Sequence, residues 1–188
     1  MITQILESIQ SNPIIAAVRK EQDIEEAARS KASTIFILNA DIFNIRYMVD
    51  HVKDNGKNAF IHIDFLEGIG KDNRAIDYIA EVIKPDGIIS TKSHSIKYAK
   101  EKGMFTIQRF FLIDSLSYET TIKTVQSIQP DLVEIMPAVM SRVIGKICRE
   151  LSIPVIAGGL IETKKDIIEI LHSGAIGAST GKKALWDL

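Results

Sequence analysis

The sequence predicts an α/β protein, a compact (β/α)8 barrel of the TIM type. Three observations predict it. Eight short β-rich runs recur along the 188 residues. Amphipathic helical patterns separate them, the alternation that builds a parallel sheet covered by helices. The last two runs end in small-residue turns, Gly158-Gly159 and Ser179-Thr180-Gly181. Such turns let backbone N–H groups approach an anion closely, and in barrels of this type the loops after strands 7 and 8 commonly bind phosphate.

In chain order, strands are expected at residues 14–18, 34–38, 59–63, 87–90, 104–110, 132–135, 154–157 and 175–179. Each is a run of β-branched or apolar residues too continuous for a sheet with one face in water. Helices are expected at 24–30, 42–55, 74–83, 93–101, 115–127, 141–150 and 164–172. In the fifth of these, Leu116, Ile122, Val125 and Ile128 fall near one face, with Glu119 and Lys123 at i,i+4 on another. Gly56, Gly103 and Gly174 stand where helix C-caps are expected. An open doubly wound sheet of five or six strands would use most of the chain, but eight strands spaced by roughly 23 residues favour closure. The length sits just below the usual ~200 residues, so loops must be short and one helix reduced.

Composition narrows the function classes. At 46% hydrophobic and 25% charged the chain is an ordinary globular one. No Pro-, Gly- or Ser-rich linker interrupts it, so residues 1–188 read as one domain. A net charge of −1 gives no global attraction to nucleic acid or anionic lipid, and any such binding needs a local patch. The one cysteine, Cys148, excludes intrachain disulfides and reads as a packing residue, in keeping with a cytoplasmic protein. The N-terminus lacks a basic signal-peptide start, and no apolar run approaches ~18 residues, so no membrane association is expected.

In such barrels the ligand site lies at the carboxyl ends of the strands. Read there, the polar groups are Arg19-Lys20, Asn39–Asp41, His62–Asp64, Thr91-Lys92, Gln108-Arg109, Glu134, and the two glycine turns. Arginine forks and a lysine beside glycine turns suit a small phosphorylated anion. Asp64 and Glu134 either accept hydrogen bonds from ligand hydroxyls or neutralise those cations. Arg19 and Arg109 each also suit a structural ion pair, and Lys92 a solvated loop. His62 reads as a packing histidine rather than a metal ligand. No H-E-x-x-H, G-x-S-x-G or P-loop sequence occurs, and S-T-G-K-K lacks the upstream glycine of a P-loop. No catalytic set and no metal site stand out, although an acid–base pair drawn from Asp64, Lys92 and Glu134 remains chemically open.

Five runs carry a resemblance: H-I-D-F-L-E-G-I at 62–69, K-P-D-G-I-I-S-T-K at 84–92, I-Q-R-F-F-L-I-D at 107–114, D-L-V-E-I-M-P at 131–137, and I-P-V-I-A-G-G-L-I at 153–161. Together they resemble the glycerol uptake operon antiterminator regulatory proteins, from P-I-I-A-A-V-R near Pro13 to Ala184–Trp186. Departures are Pro137-Ala138 in place of Pro-Gly, L-N-A-D after the second strand, and the basic S-T-G-K-K turn. The resemblance implies a non-enzymatic regulator that binds glycerol 3-phosphate, uses no cofactor, and acts on a leader mRNA to let transcription run into glycerol-utilisation genes. It implies that Arg19, Asp64, Lys92, Arg109 and Glu134 line the ligand pocket, with Gly158, Gly159, Thr180 and Gly181 at the phosphate. For RNA, the candidate cations are Lys182 and Lys183, expected to join an RNA surface when ligand orders the neighbouring loops, with Arg142, Lys146 and Arg149 as a second cluster. The barrel alone equally suits a lyase, aldolase or isomerase acting on a phosphorylated substrate, or a metabolite-binding protein without an RNA role. A homo-oligomer is compatible with all of these.

Overall fold

The computed structural model describes residues 2–188; Met1 lies outside the described residues. Eight parallel strands close into a barrel in the order of the chain: β1 (Ile14–Val18), β2 (Thr34–Ile37), β3 (Asn58–His62), β4 (Gly87–Ser90), β5 (Phe105–Phe111), β6 (Leu132–Met136), β7 (Val155–Gly158) and β8 (Gly177–Thr180). Closure is made by β8 on β1, with Ile14 opposite Ala178 and Ala16 opposite Thr180. The eight-strand reading holds, with boundaries moved by a residue or two. The shift matters at β7 and β8, because Gly158 and Thr180, expected in the turns, are strand residues, as is Ser179 at the expected strand end. Strand alternation therefore decides where their side chains point.

Around the barrel run α1 (Ile2–Ser11), α2 (Ile24–Arg29), α3 (Ile45–Asp54), α4 (Asn73–Tyr78, continued by a π-helical turn Ile79–Ile83), α5 (Ser93–Glu101), α6 (Ser115–Ile128), α7 (Ser141–Glu150) and α8 (Lys164–His172). Two have complete capping boxes, Asp114 with Ser117 on α6 and Thr163 with Asp166 on α8. The predicted glycine caps are present: Gly56, Gly103 and Gly174 all have positive φ. After β8 the outer helix is reduced to the 3-10 turn Lys183–Leu185, as the short length requires. Trp186 then locks the C-terminus, with its ring buried and Nε1 donating to the Thr180 carbonyl at 2.8 Å.

Helix α1 was not foreseen. It places Ile5 and Ile9 against Ile15, Phe36, Phe60, Phe105 and Ile156, the side chains that fill the barrel. Phe60 meets Phe36 and Phe105 edge-on at 5.7 and 5.5 Å. This apolar plug fills the lower barrel, and the buried charged residues Arg109 and Glu134 lie above it toward the carboxyl end. Cluster residues such as Ile35, Ile61, Ile88, Val133 and Ile135 pack the outer strand faces under the helices.

Candidate ligand site

Above the phenylalanine layer, strand alternation points Arg109 (β5), Glu134 (β6) and Ser179 (β8) into the barrel. Glu134 is wholly buried, and Arg109 is 6% exposed. Arg109 Nε donates to Glu134 Oε2 at 2.6 Å, and Ser179 Oγ donates to Glu134 Oε1 at 2.5 Å. A buried carboxylate needs this partnership, because an unpaired charge here would be prohibitively desolvated. Gly158 makes room for it: a Cβ there would collide with Ser179 Oγ and Glu134 Oε1. Both alternatives offered for Glu134 thus resolve toward the second, since it balances Arg109 from behind.

The remaining edge of the Arg109 guanidinium borders a cavity of about 430 Å³, within the range for small-ligand sites. Its terminal nitrogens carry no protein hydrogen bond among the described residues. Arg19, Lys20 and Lys182 also line the cavity, together with Gly159, Thr180 and Gly181, over an apolar floor that includes Leu38, Met136 and Trp186. Asp23 and Glu162 are its only carboxylate neighbours among the described lining residues. Glu162 is taken by Lys182 at 3.0 Å, and Asp23 by Lys183 at 2.5 Å. Arg19 and Lys20 have no ion pair among the described residues. The uncommitted charge facing the cavity is therefore positive.

The turns at its edge have distinct roles. Gly159 has φ +79°, and a Cβ there would come within 2.7 Å of Met136 Cε. Leu160 follows with φ +60° although it is not glycine, and its side chain is 68% exposed at the cavity lip. Strain of this kind concentrates at ligand sites. Thr180 turns its hydroxyl away from the barrel, donating to the Ile161 carbonyl at 3.4 Å and accepting from Lys182 N–H at 3.0 Å. It builds the β8 turn and meets the cavity only at its edge.

Not every expected residue arrives. Asp64 sits in the 3-10 turn after β3, where it accepts from Ser90 Oγ at 2.7 Å and from Thr91 N–H and Oγ1, each at 2.8 Å. Burial alone would raise its carboxyl pKa; those hydrogen bonds and the nearby His62 outweigh burial and hold it below the ordinary value. Asp64 thus ties the β3 end to the β4 end. Lys92 is exposed at the start of α5 and, with Asp64, borders a separate narrow crevice. Neither lines the cavity shared by Arg19 and Arg109. Lys20, read among the strand-end polar groups but not assigned to the pocket, lines the cavity; the apolar lining was missed, and the inward register of Ser179 is the signal that would have paired it with Glu134.

His62 packs as expected. It is 1% exposed, its ring centroid lies 4.6 Å from that of Phe65, and neither nitrogen has a hydrogen-bond partner among the described residues. Burial, then the Arg109 charge, pushes its pKa down to about 4, so it is neutral near pH 7. Cys148 is half-buried in α7, where desolvation raises its thiol pKa. Among the described residues no helix is long and apolar enough to cross a membrane.

The sequence profile of the glycerol-3-phosphate responsive antiterminators matches residues 14–186. The chain belongs to this family. The uncharacterized protein YgcP of Escherichia coli is 36% identical over 184 residues, covering 98% of this chain and 96% of its own. The crystal structure of a glycerol uptake operon antiterminator regulatory protein from Listeria monocytogenes superposes with a TM-score of 0.89 at 36% identity, covering 93% of this chain and 95% of that one. A glycerol uptake operon antiterminator-related protein from Thermotoga maritima gives 0.81 at 34% identity, with 92% and 96% covered. The antiterminator resemblance read from the five sequence runs is thereby established, as is the closed barrel. In this family member, the cationic cavity occupies the strand 7 and 8 phosphate position usual for barrels of this type.

Proposed function

We propose that this antiterminator senses glycerol 3-phosphate in the cavity and, once loaded, binds a leader mRNA so that transcription continues into genes of glycerol uptake and use. The observation that carries the reading is the Arg109 guanidinium, fixed by buried Glu134 and Ser179 with its free edge on the cavity. A fork held in this way is pre-organised for two oxygens of an anion. Arg19 and Lys20 supply further positive charge, and the Gly159 and Gly181 turns let main chain approach a phosphate. Leu38, Met136 and Trp186 would face the short glycerol carbon chain.

Nothing in this arrangement activates a nucleophile or moves a proton. Glu134 and Asp64 are both consumed by internal hydrogen bonds, and the acid–base pair left open by the sequence has Lys92 outside the cavity. The reading is a sensor, without cofactor, in the cytoplasm.

Calorimetric titration tests it. Glycerol 3-phosphate should bind with one site per chain, glycerol at least about a hundredfold more weakly, because a charge-assisted phosphate contact is absent. Equal affinity for the two, or turnover of glycerol 3-phosphate during the titration, would refute the reading.

A further inference from the structure

Lys182 and Lys183 are poor candidates for holding RNA in the free protein. Each ammonium is already held by a carboxylate: Lys182 by Glu162, and Lys183 by Asp23 and by Glu26 at 2.8 Å. Helix α7 is different. Its apolar side, Ile144, Gly145 and Ile147, is buried against the barrel. Arg142, Lys146 and Arg149 follow at i, i+4 and i+7, so all three lie on the opposite face, and all three are exposed. None has a carboxylate partner among the described residues. The one acid of this helix, Glu150, instead accepts from Tyr118 Oη on α6 at 2.5 Å. Lys146 lies over the Tyr118 ring at 4.4 Å, which steadies its stem while leaving its ammonium charged.

The geometry points to the outer face of α7 as the surface that holds the phosphate backbone of RNA, through Arg142, Lys146 and Arg149. The inference rests on the antiterminator reading above and assigns its RNA surface. The seven-residue span is about 10 Å along the helix axis, enough for roughly three successive phosphates. A membrane is the poorer fit: an interfacial helix must offer an apolar face, and that of α7 is occupied by the core.

The position also places this surface within reach of the ligand. Strand β6 brings Glu134 to Arg109, and the loop that leads from β6 into α7 is hydrogen-bonded to the cavity edge, Ala138 N–H to the Gly159 carbonyl at 3.1 Å. A ligand that reorders Gly159 pulls on the chain three residues before α7 begins.

The test compares binding of glycerol-operon leader RNA, with glycerol 3-phosphate present and over a salt series, to the parent protein, to Arg142→Ala/Lys146→Ala/Arg149→Ala, and to Lys183→Ala, which lies outside the cavity lining. The α7 variant should bind at least about tenfold more weakly at 0.1 M salt, and its log–log salt slope should flatten by about two, given ~0.7 per lost phosphate contact on a single strand. The Lys183→Ala variant should keep the parental slope. All substitutions are at exposed positions, and calorimetric glycerol 3-phosphate binding reports that the fold is intact. A parent that binds while the α7 variant keeps its slope overturns the α7 assignment alone. A parent that takes glycerol 3-phosphate but never leader RNA overturns the RNA reading with it. Loss by the α7 variant of binding to phosphatidylserine vesicles, with RNA binding unchanged, would make this a lipid or acidic-partner patch and refute the inference.

Discussion

Arg109 on β5 and Glu134 on β6 form a buried ion pair across 2.6 Å, and Ser179 on β8 closes the far side of the same carboxylate. Three strands are thereby fastened beside the ligand cavity. Removing either charged partner leaves the other buried and unpaired. Glu134→Ala should therefore lower unfolding free energy by about 3–5 kcal/mol in urea titrations. Ser179→Ala should cost about 1–3 kcal/mol and weaken glycerol 3-phosphate binding modestly, since it loosens the carboxylate that aims Arg109.

Arg109→Lys keeps the charge beside Glu134 but lacks the planar fork. Its stability should fall far less than that of Glu134→Ala. Its affinity for glycerol 3-phosphate should drop at least about tenfold with little change toward glycerol, because bidentate recognition cannot be reproduced by an ammonium. Calorimetry with both ligands reads the difference. Equal losses would remove Arg109 from anion recognition.

The glycine pair after β7 divides into two roles. Gly159→Ala must hold a positive φ and meet Met136 Cε, so it should cost about 1–2 kcal/mol and weaken ligand binding as the loop shifts. Gly158→Ala instead wedges a methyl between Ser179 and Glu134, and thermal unfolding should report a larger loss of about 1–3 kcal/mol or more.

His62 gives the fold a pH dependence. Its folded pKa, about 4, lies below the ordinary histidine value. The unfolded chain therefore binds more protons between about pH 6.5 and 4, and stability falls as pH is lowered through that window. The full effect is of the order of 3 kcal/mol. His62→Phe should flatten urea stability against pH across this window; an unchanged slope would show that His62 titrates alike in the folded and unfolded chain.

Much of this was legible in the sequence because the signals were local. Continuous apolar runs gave the eight strands, and Gly56, Gly103 and Gly174 marked true helix ends. Helix α1 does carry a helical pattern, Ile2, Ile5, Leu6 and Ile9 at i, i+3, i+4 and i+7, but it precedes the first strand and stands outside the strand–helix alternation. In the site, Arg19 and Arg109 were placed together by the rule that barrel ligands sit at strand ends. Asp64 and Lys92 obey the same rule yet turn elsewhere. The 3-10 turn Ile63–Phe65 carries Asp64 onto Ser90 and Thr91, a nonlocal contact with no linear signature. The pairing of Lys182 with Glu162 and Lys183 with Asp23 was equally invisible, being made between residues distant in the chain.

The central claim is that ligand in the Arg109 cavity controls RNA binding, and one measurement reaches it directly. Leader RNA is titrated with the parent protein in the absence and presence of saturating glycerol 3-phosphate, at matched ionic strength. The account predicts binding at least about tenfold tighter with glycerol 3-phosphate, a coupling within the usual range for linked sites, and no such gain with glycerol. Identical RNA affinity in the two titrations, with glycerol 3-phosphate bound, would contradict it.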